Sequence, residues 1–134
     1  PQMVGAGVLD ALAAEHIDHT APRPAAPAQQ VDAAYGEYVA NTKDCRGCHG
    51  PALSGGPSAE PGAPPGPNLT PGGELGDWSP DEFITAMRTG LAPDGRQLRP
   101  QYMPWEEYGR MTDDDLTALF LYLQSLSALE TASQ

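Results

Sequence analysis

The sequence predicts an all-α chain whose helices are joined by long loops. Three observations carry this. Two segments, "WSPDEF" and "MTDDDL", open with helix-start chemistry. No run alternates apolar and polar residues as a half-buried strand requires. And 15 Gly and 15 Pro are gathered in stretches that exclude both helix interiors and central strands.

The elements follow in order. Residues 1–30 form an extension. In it "GVLDALAAEHI" places Val8, Leu9, Leu12, Ala13 and Ile17 on one helical face, and "TAPRPAAPA" is a Pro-rich spacer. Extended, its nine residues span roughly 28 Å at about 3.1 Å each. The extension is read either as a disordered leader or as a segment packed along the domain. The opening "PQMVG" suggests a processed or trimmed chain.

Residues 31–134 form one domain. Residues 31–50 read as a helix running into "CRGCH", with Val31, Tyr35, Tyr38 and Val39 as its apolar stripe. Gly36 inside that helix costs stability relative to Ala, so another backbone is expected to pass close by. Residues 50–77 are loop, and a loop that long in a compact domain serves a site. Ser79 then caps a helix with Pro80 at its first position, Glu82 completing a capping box, and Trp78 and Phe83 as staple pair. This helix ends at Gly90. Thr112 caps the last helix, with Asp113–Asp115 at the positive end of its dipole and Met111 and Leu116 as staple. Its inward face is Leu116, Leu119, Phe120, Leu123 and Leu126.

Composition narrows the function. The net charge of −11 excludes the basic footprint of a nucleic-acid binder and a polybasic attachment to anionic lipid. No run of 18 apolar residues spans a membrane. Leu, Ile, Val and Phe number only 21 in 134 residues, which with this charge falls in the range of chains that cannot bury enough apolar surface to fold. A large apolar cofactor would supply the missing core.

The chemistry concentrates in Cys45-Arg46-Gly47-Cys48-His49. Four readings compete. A disulfide would close a tiny loop and stabilise little. A thioredoxin-like dithiol needs strands the sequence lacks. Zinc needs a second ligand pair, which only His16 and His19 in the extension could supply. The remaining reading is covalent haem attachment: Cys45 and Cys48 reach the two vinyl groups at one porphyrin edge and His49 lies beneath the iron. For the sixth ligand four methionines are candidates. Met87 belongs to the Ser79-capped helix and reads as core, Met111 is a staple residue, and Met3 lies in the extension. Met103, in the loop "RPQYMPWEEY", is favoured.

With "GEYVANTKDCRGCHG", "GPNLTP", "DGRQLRPQYMPW" and "MTDDDLTALFLYLQSL" on the page, residues 31–129 closely resemble the class I c-type cytochromes. The resemblance implies helices and loops wrapped around one haem c, thioethers at Cys45 and Cys48, and His49 and Met103 as iron ligands. It implies that Pro67 offers its carbonyl to the second ring nitrogen of His49. It further implies that the last helix crosses Gly36 at Leu119 and Tyr122. Arg96, Tyr102 and Trp105 are candidate donors to the haem propionates. The residues from Trp78 to Trp105 are most similar to cytochromes serving respiratory oxidases and periplasmic dehydrogenases.

The implied function is one-electron transfer, with no catalysis, between transient redox partners: a quinol-oxidising complex or dehydrogenase as donor, a terminal haem–copper oxidase as acceptor. The implied location is periplasmic or otherwise extracytoplasmic. The acidic surface suggests a partner with basic residues. The alternative is a haem enzyme or ligand-binding sensor with an open distal site. The 30-residue extension and the long loop at 50–66 depart from the family pattern.

Overall fold

A computed structural model of the chain describes residues 17–133. Among the described residues five α-helices follow one another: α1 Ala33–Thr42, α2 Cys45–His49, α3 Pro80–Thr89, α4 Trp105–Tyr108 and α5 Asp113–Ser125. A 3-10 helix, Glu74–Asp77, precedes α3. The only strand-like pairings among the described residues are two isolated bridges, Gly56–Gly66 and Leu91–Gln97. The all-α expectation holds.

Met3, His16 and nearly all of the expected helix in the extension lie outside the described residues. Residues 17–30 are exposed throughout. Gln29 Nε2 reaches Asp115 Oδ1 at 3.5 Å. A Pro- and Ala-rich segment has little to bury, and this stretch does not pack along the domain.

The helix expected over residues 31–50 is two helices. Asp32 caps α1, its Oδ1 accepting from Tyr35 N–H at 2.8 Å. Val31 therefore precedes the helix and is exposed, as is Tyr38. The buried face is Gly36, Val39 and Ala40. Between α1 and α2 the chain turns at Asp44, in the left-handed region at φ 54°, a conformation Asp tolerates better than most residues. That turn re-aims "CRGCH" away from the axis of α1.

The Ser79 and Thr112 caps form where the sequence places them. Ser79 Oγ accepts from Glu82 N–H, and Thr112 Oγ1 from Asp115 N–H, both at 3.1 Å. Gly90 ends α3 with φ 73°. Leu116, Leu119, Phe120 and Leu123 of α5 are all buried, and Leu126 is partly so. Phe120 meets Phe83 of α3 at 5.3 Å between ring centroids.

The fold is organised by the crossing of α1 and α5. A Cβ on Gly36 would fall 2.6 Å from the Ala118 carbonyl carbon and 2.7 Å from Tyr122 Cβ, and closer still to the Ala118 oxygen. Tyr122 is where the sequence placed the crossing; its other member is Ala118 instead of Leu119. Ala118 and Tyr122 lie one turn apart on the face toward α1, while Leu119 and Leu123 line a cavity. A second brace is Arg88 of α3. Its guanidinium donates to the carbonyls of Gly109 and Met111 and to Asp113, the last at 2.6 Å. It fixes the chain between the Met103 loop and α5.

Candidate functional site

The long loop 50–72 folds back on α2 by backbone packing. A Cβ on Gly66 would stand 2.8 Å from the Cys48 carbonyl carbon and 3.1 Å from His49 Cα. This approach delivers the Pro67 carbonyl to His49, whose Nδ1 lies 2.9 Å from it. A carbonyl only accepts, so Nδ1 carries the proton. His49 is 6% exposed. Burial lowers its basicity, with the Pro67 bond opposing, so the ring is held neutral and the lone pair is on Nε2.

Cys45 and Cys48 are free thiols half-buried at either end of one helical turn. Burial pushes the Cys45 thiol up to about 11, the reverse of the depressed thiol that a redox dithiol needs. Among the described residues no group of three His, Cys, Asp or Glu could hold a metal ion, and His16, which the zinc reading needs, lies outside them. Arg46, to which the sequence assigns no role, is a staple. It donates to Tyr122 OH at 2.7 Å, to the Pro51 carbonyl at 3.1 Å and to the Asn41 side chain. It locks α2 to α1 and α5 at once, a role that nothing in the motif's spacing announces.

Cys45, Cys48 and His49 all border one largely apolar cavity of about 450 Å³. Its wall also takes Phe83 and Met87 from α3, Leu119 and Leu123 from α5, and Leu98, Tyr102 and Met103 from the loop before α4. Met103 is half-buried there, its N–H bonded to the Arg99 carbonyl at 2.9 Å and its carbonyl to Trp105 N–H at 2.7 Å. Met87 is buried in the core as expected, yet it and Met111 border the cavity too.

The expected donors divide. Arg96 lines the cavity and is paired with Glu74 at 2.6 Å and Asp94 at 3.6 Å. Tyr102 lines it with Arg99 stacked over its ring at 5.1 Å. Trp105 is not among the lining residues. Its indole N–H is spent on the Leu98 carbonyl at 3.2 Å and its ring lies against Gly90. Lining residues that the sequence did not place at the site include Trp78, Gln97, Arg99 and Tyr108. Trp78 was read only as a staple. The Tyr108 hydroxyl donates to the Lys43 carbonyl at 3.1 Å, bridging α4 to the turn before α2, and burial raises its pKa.

These residues fit a haem c. Two unpaired thiols one turn apart and a neutral imidazole border the same apolar space, and the wall lacks the buried charge that would reject a porphyrin. Residues 33–127 match the family model described as cytochrome c. The chain belongs to the cytochrome c family. Its helices, and relatives that are cytochrome subunits, place it with the class I c-type cytochromes.

This cytochrome is 39% identical over 110 residues to the cytochrome c subunit of a quinone alcohol dehydrogenase of Gluconobacter oxydans (strain 621H), covering 73% of the chain and 23% of that protein. It is 35% identical over 115 residues to the fructose dehydrogenase cytochrome subunit of Gluconobacter japonicus, covering 79% and 23%. It is 40% identical over 95 residues to the gluconate 2-dehydrogenase cytochrome c subunit of Pantoea cypripedii, covering 65% and 21%. The chain thus spans less than a quarter of the length of these relatives. Membership implies covalent haem c and haem-based electron transfer. No helix among the described residues is long and apolar enough to cross a membrane.

Proposed function

We propose that the domain over residues 31–134 is a one-electron carrier with a single haem c, serving a dehydrogenase and passing electrons toward a respiratory oxidase outside the cytoplasm. The observation that carries this is the convergence of Cys45, Cys48, His49 and Met103 on one cavity. The relatives' descriptions as cytochrome subunits of dehydrogenases support the partner class.

Cys45 and Cys48 would hold the group as thioethers. His49 would offer Nε2 to iron, with Nδ1–H on Pro67 keeping the ring oriented and electron-rich. Met103 would offer its sulfur from the loop before α4, where its N–H and carbonyl are bonded to Arg99 and Trp105. Haem, when bound, supplies a one-electron iron couple, which His/Met ligation sets at a raised potential. The chain's own contribution is rigidity: α2 is stapled by Arg46 and the Met103 loop is anchored at both ends. Fixed ligands change geometry little between redox states.

Lining residues that are also exposed mark the mouth of the cavity: Lys43, Asp44, Glu74, Arg96, Gln97 and Arg99 among them. Three of the chain's seven Lys and Arg residues are here, on a chain of net charge −11. The face that would meet a partner is therefore less acidic than the rest. Docking should be weakly salt-dependent at this face despite the net charge.

The test is a spectrum of the purified, haem-loaded chain in both redox states. A Soret band with sharp reduced bands, and a far-red band in the ferric form that disappears in Met103→Ala but persists in Met87→Ala, is the expected result. Loss of that band in Met87→Ala alone would reassign the distal ligand. No Soret band would end the carrier reading.

A further inference from the structure

We propose that the tail following α5, residues 129–132, is a strap that positions His49 by acting through Asn68 on the Pro67 carbonyl. The proposal rests on the reading of His49 as an iron ligand. The tail is extended and largely exposed, yet it is bonded into loop 50–72 at several points. Ala132 N–H donates to the Ser54 carbonyl at 3.0 Å. Leu129 N–H meets Thr70 Oγ1 at 3.1 Å, and the Leu129 carbonyl accepts from Asn68 Nδ2 at 2.8 Å. A Cβ on Gly72 would stand 2.8 Å from both the backbone N and carbonyl C of Leu129, so the strap lies backbone to backbone on the loop.

Asn68 and Thr70 are buried polar side chains, 4% and 0% exposed. Asn68 Oδ1 accepts from Thr70 N–H at 2.9 Å and from its hydroxyl at 2.7 Å. Nδ2 is divided between the Leu129 carbonyl and Thr131 Oγ1, the latter at 3.4 Å. Both donors and both acceptor sites of this amide are committed. A buried amide is held in one orientation when each of its groups would lose a partner by turning.

Asn68 shares a planar peptide with Pro67. Holding Asn68 therefore holds the direction of the carbonyl that accepts from His49 Nδ1 at 2.9 Å. On the other flank Gly66 packs against Cys48, so the peptide is gripped from both sides. Without the strap the Gly66 packing and the Leu69 N–H bond to the Leu53 carbonyl at 2.8 Å remain, but the Asn68 amide loses both acceptors of its Nδ2. The carbonyl can then swing, the bond to Nδ1 weakens, and the imidazole becomes a poorer electron donor. Ferric iron loses more by this than ferrous iron, so the potential rises. Asn68 is thus a positioning residue, and Leu129 positions it in turn.

The test compares the haem-loaded full chain with Asn68→Ala and with Leu129→Pro, which removes the N–H held by Thr70 Oγ1 and sets a ring where the strap lies against Gly72, so that the Leu129 carbonyl is drawn away from Asn68 at a site remote from the cavity. Thr112→Ala, a helix-cap loss away from the strap, controls for general destabilisation. Two readouts are taken: the reduction potential, and exchange of the His49 Nδ1 proton by NMR of the reduced protein. The expected result is a raised potential and exchange faster by roughly five- to tenfold, the equivalent of one lost hydrogen bond, in both strap variants but not in Thr112→Ala. If Asn68→Ala takes up no haem, Leu129→Pro decides alone. A lowered melting temperature with unchanged potential and unchanged exchange would overturn the proposal, leaving the strap as a fastening for the loop. Failure of the underlying reading has a different signature, a His49→Ala protein whose axial-ligand spectrum matches the parent.

Discussion

Replacing Gly36 with Ala separates two effects of opposite sign. Helix propensity alone favours Ala by about 1 kcal/mol in a helix interior. Against it stands the crossing with α5. The added Cβ falls 2.7 Å from Tyr122 Cβ, and ordinary contact begins at 3.4 Å, so the helices must part by at least 0.7 Å (3.4 − 2.7). A gap of that size forfeits about a quarter to a half of each dispersion contact along the seam. The Ala118 carbonyl belongs to the backbone of α5 and cannot turn aside as a flexible side chain could. Overpacking of this kind costs about 3 kcal/mol, at the upper end of its usual range. The net is a loss of about 2 kcal/mol, or roughly 8–16 °C in melting temperature for a domain of about 100 residues. Thermal unfolding of the haem-loaded protein followed by far-UV circular dichroism is the assay. A Gly36→Ala protein that melts at or above the parent would refute the close crossing. The same change should also disturb the cavity, because Leu119 and Leu123 ride on the displaced helix.

Other consequences can be checked together. Ser79→Ala and Thr112→Ala each remove one capping bond and should each cost about 1 kcal/mol by denaturant titration, additively, because the caps share no partner. A double-mutant cycle between Arg46→Ala and Tyr122→Phe should give a coupling of about 1.5 kcal/mol or more, as for a hydrogen bond with a charged donor; zero coupling would deny Arg46 its role as staple. Tyr108 has its pKa raised above 10, first by burial. A raised folded-state pKa stabilises fully below the unfolded value and is lost as pH climbs through the folded one. Stability should therefore fall above pH 10, and Tyr108→Phe should flatten that limb of the alkaline melt. Arg96→Gln should break the pair with Glu74 and change melting little, since both side chains are well exposed.

The sequence made legible whatever rests on local chemistry. Ser79, Thr112 and Gly90 bound their helices where short-range capping rules place them. Gly36 announced a neighbour because a helix interior seldom keeps Gly without one. What escaped depends on backbone conformation and on partners that the local pattern does not name. The break at Asp44 comes from a left-handed turn that an Asp permits but does not demand. Choosing Ala118 over Leu119 required knowing which face of α5 meets α1 and which lines the cavity. Trp105 looked like a donor facing the site, but its one N–H was already taken by Leu98. Arg46 and the strap at residues 129–132 left no periodic signal, since Arg46 reaches Tyr122, 76 positions away, and the strap reaches back to Ser54, Asn68 and Thr70.

The crossing of α1 and α5 also dictates an order of events. Gly36 and Ala118 lie 82 positions apart (118 − 36), so their contact closes one of the longest loops the domain can make. Such a closure must meet its entropic cost before the contact rewards it. The thiols of Cys45 and Cys48 lie near the start of that loop and the wall built by Leu119 and Leu123 near its end. As the chain emerges, the attachment residues are complete long before the wall that covers them exists. During synthesis the thiols therefore have an interval in which no Leu119 or Leu123 wall exists to cover them.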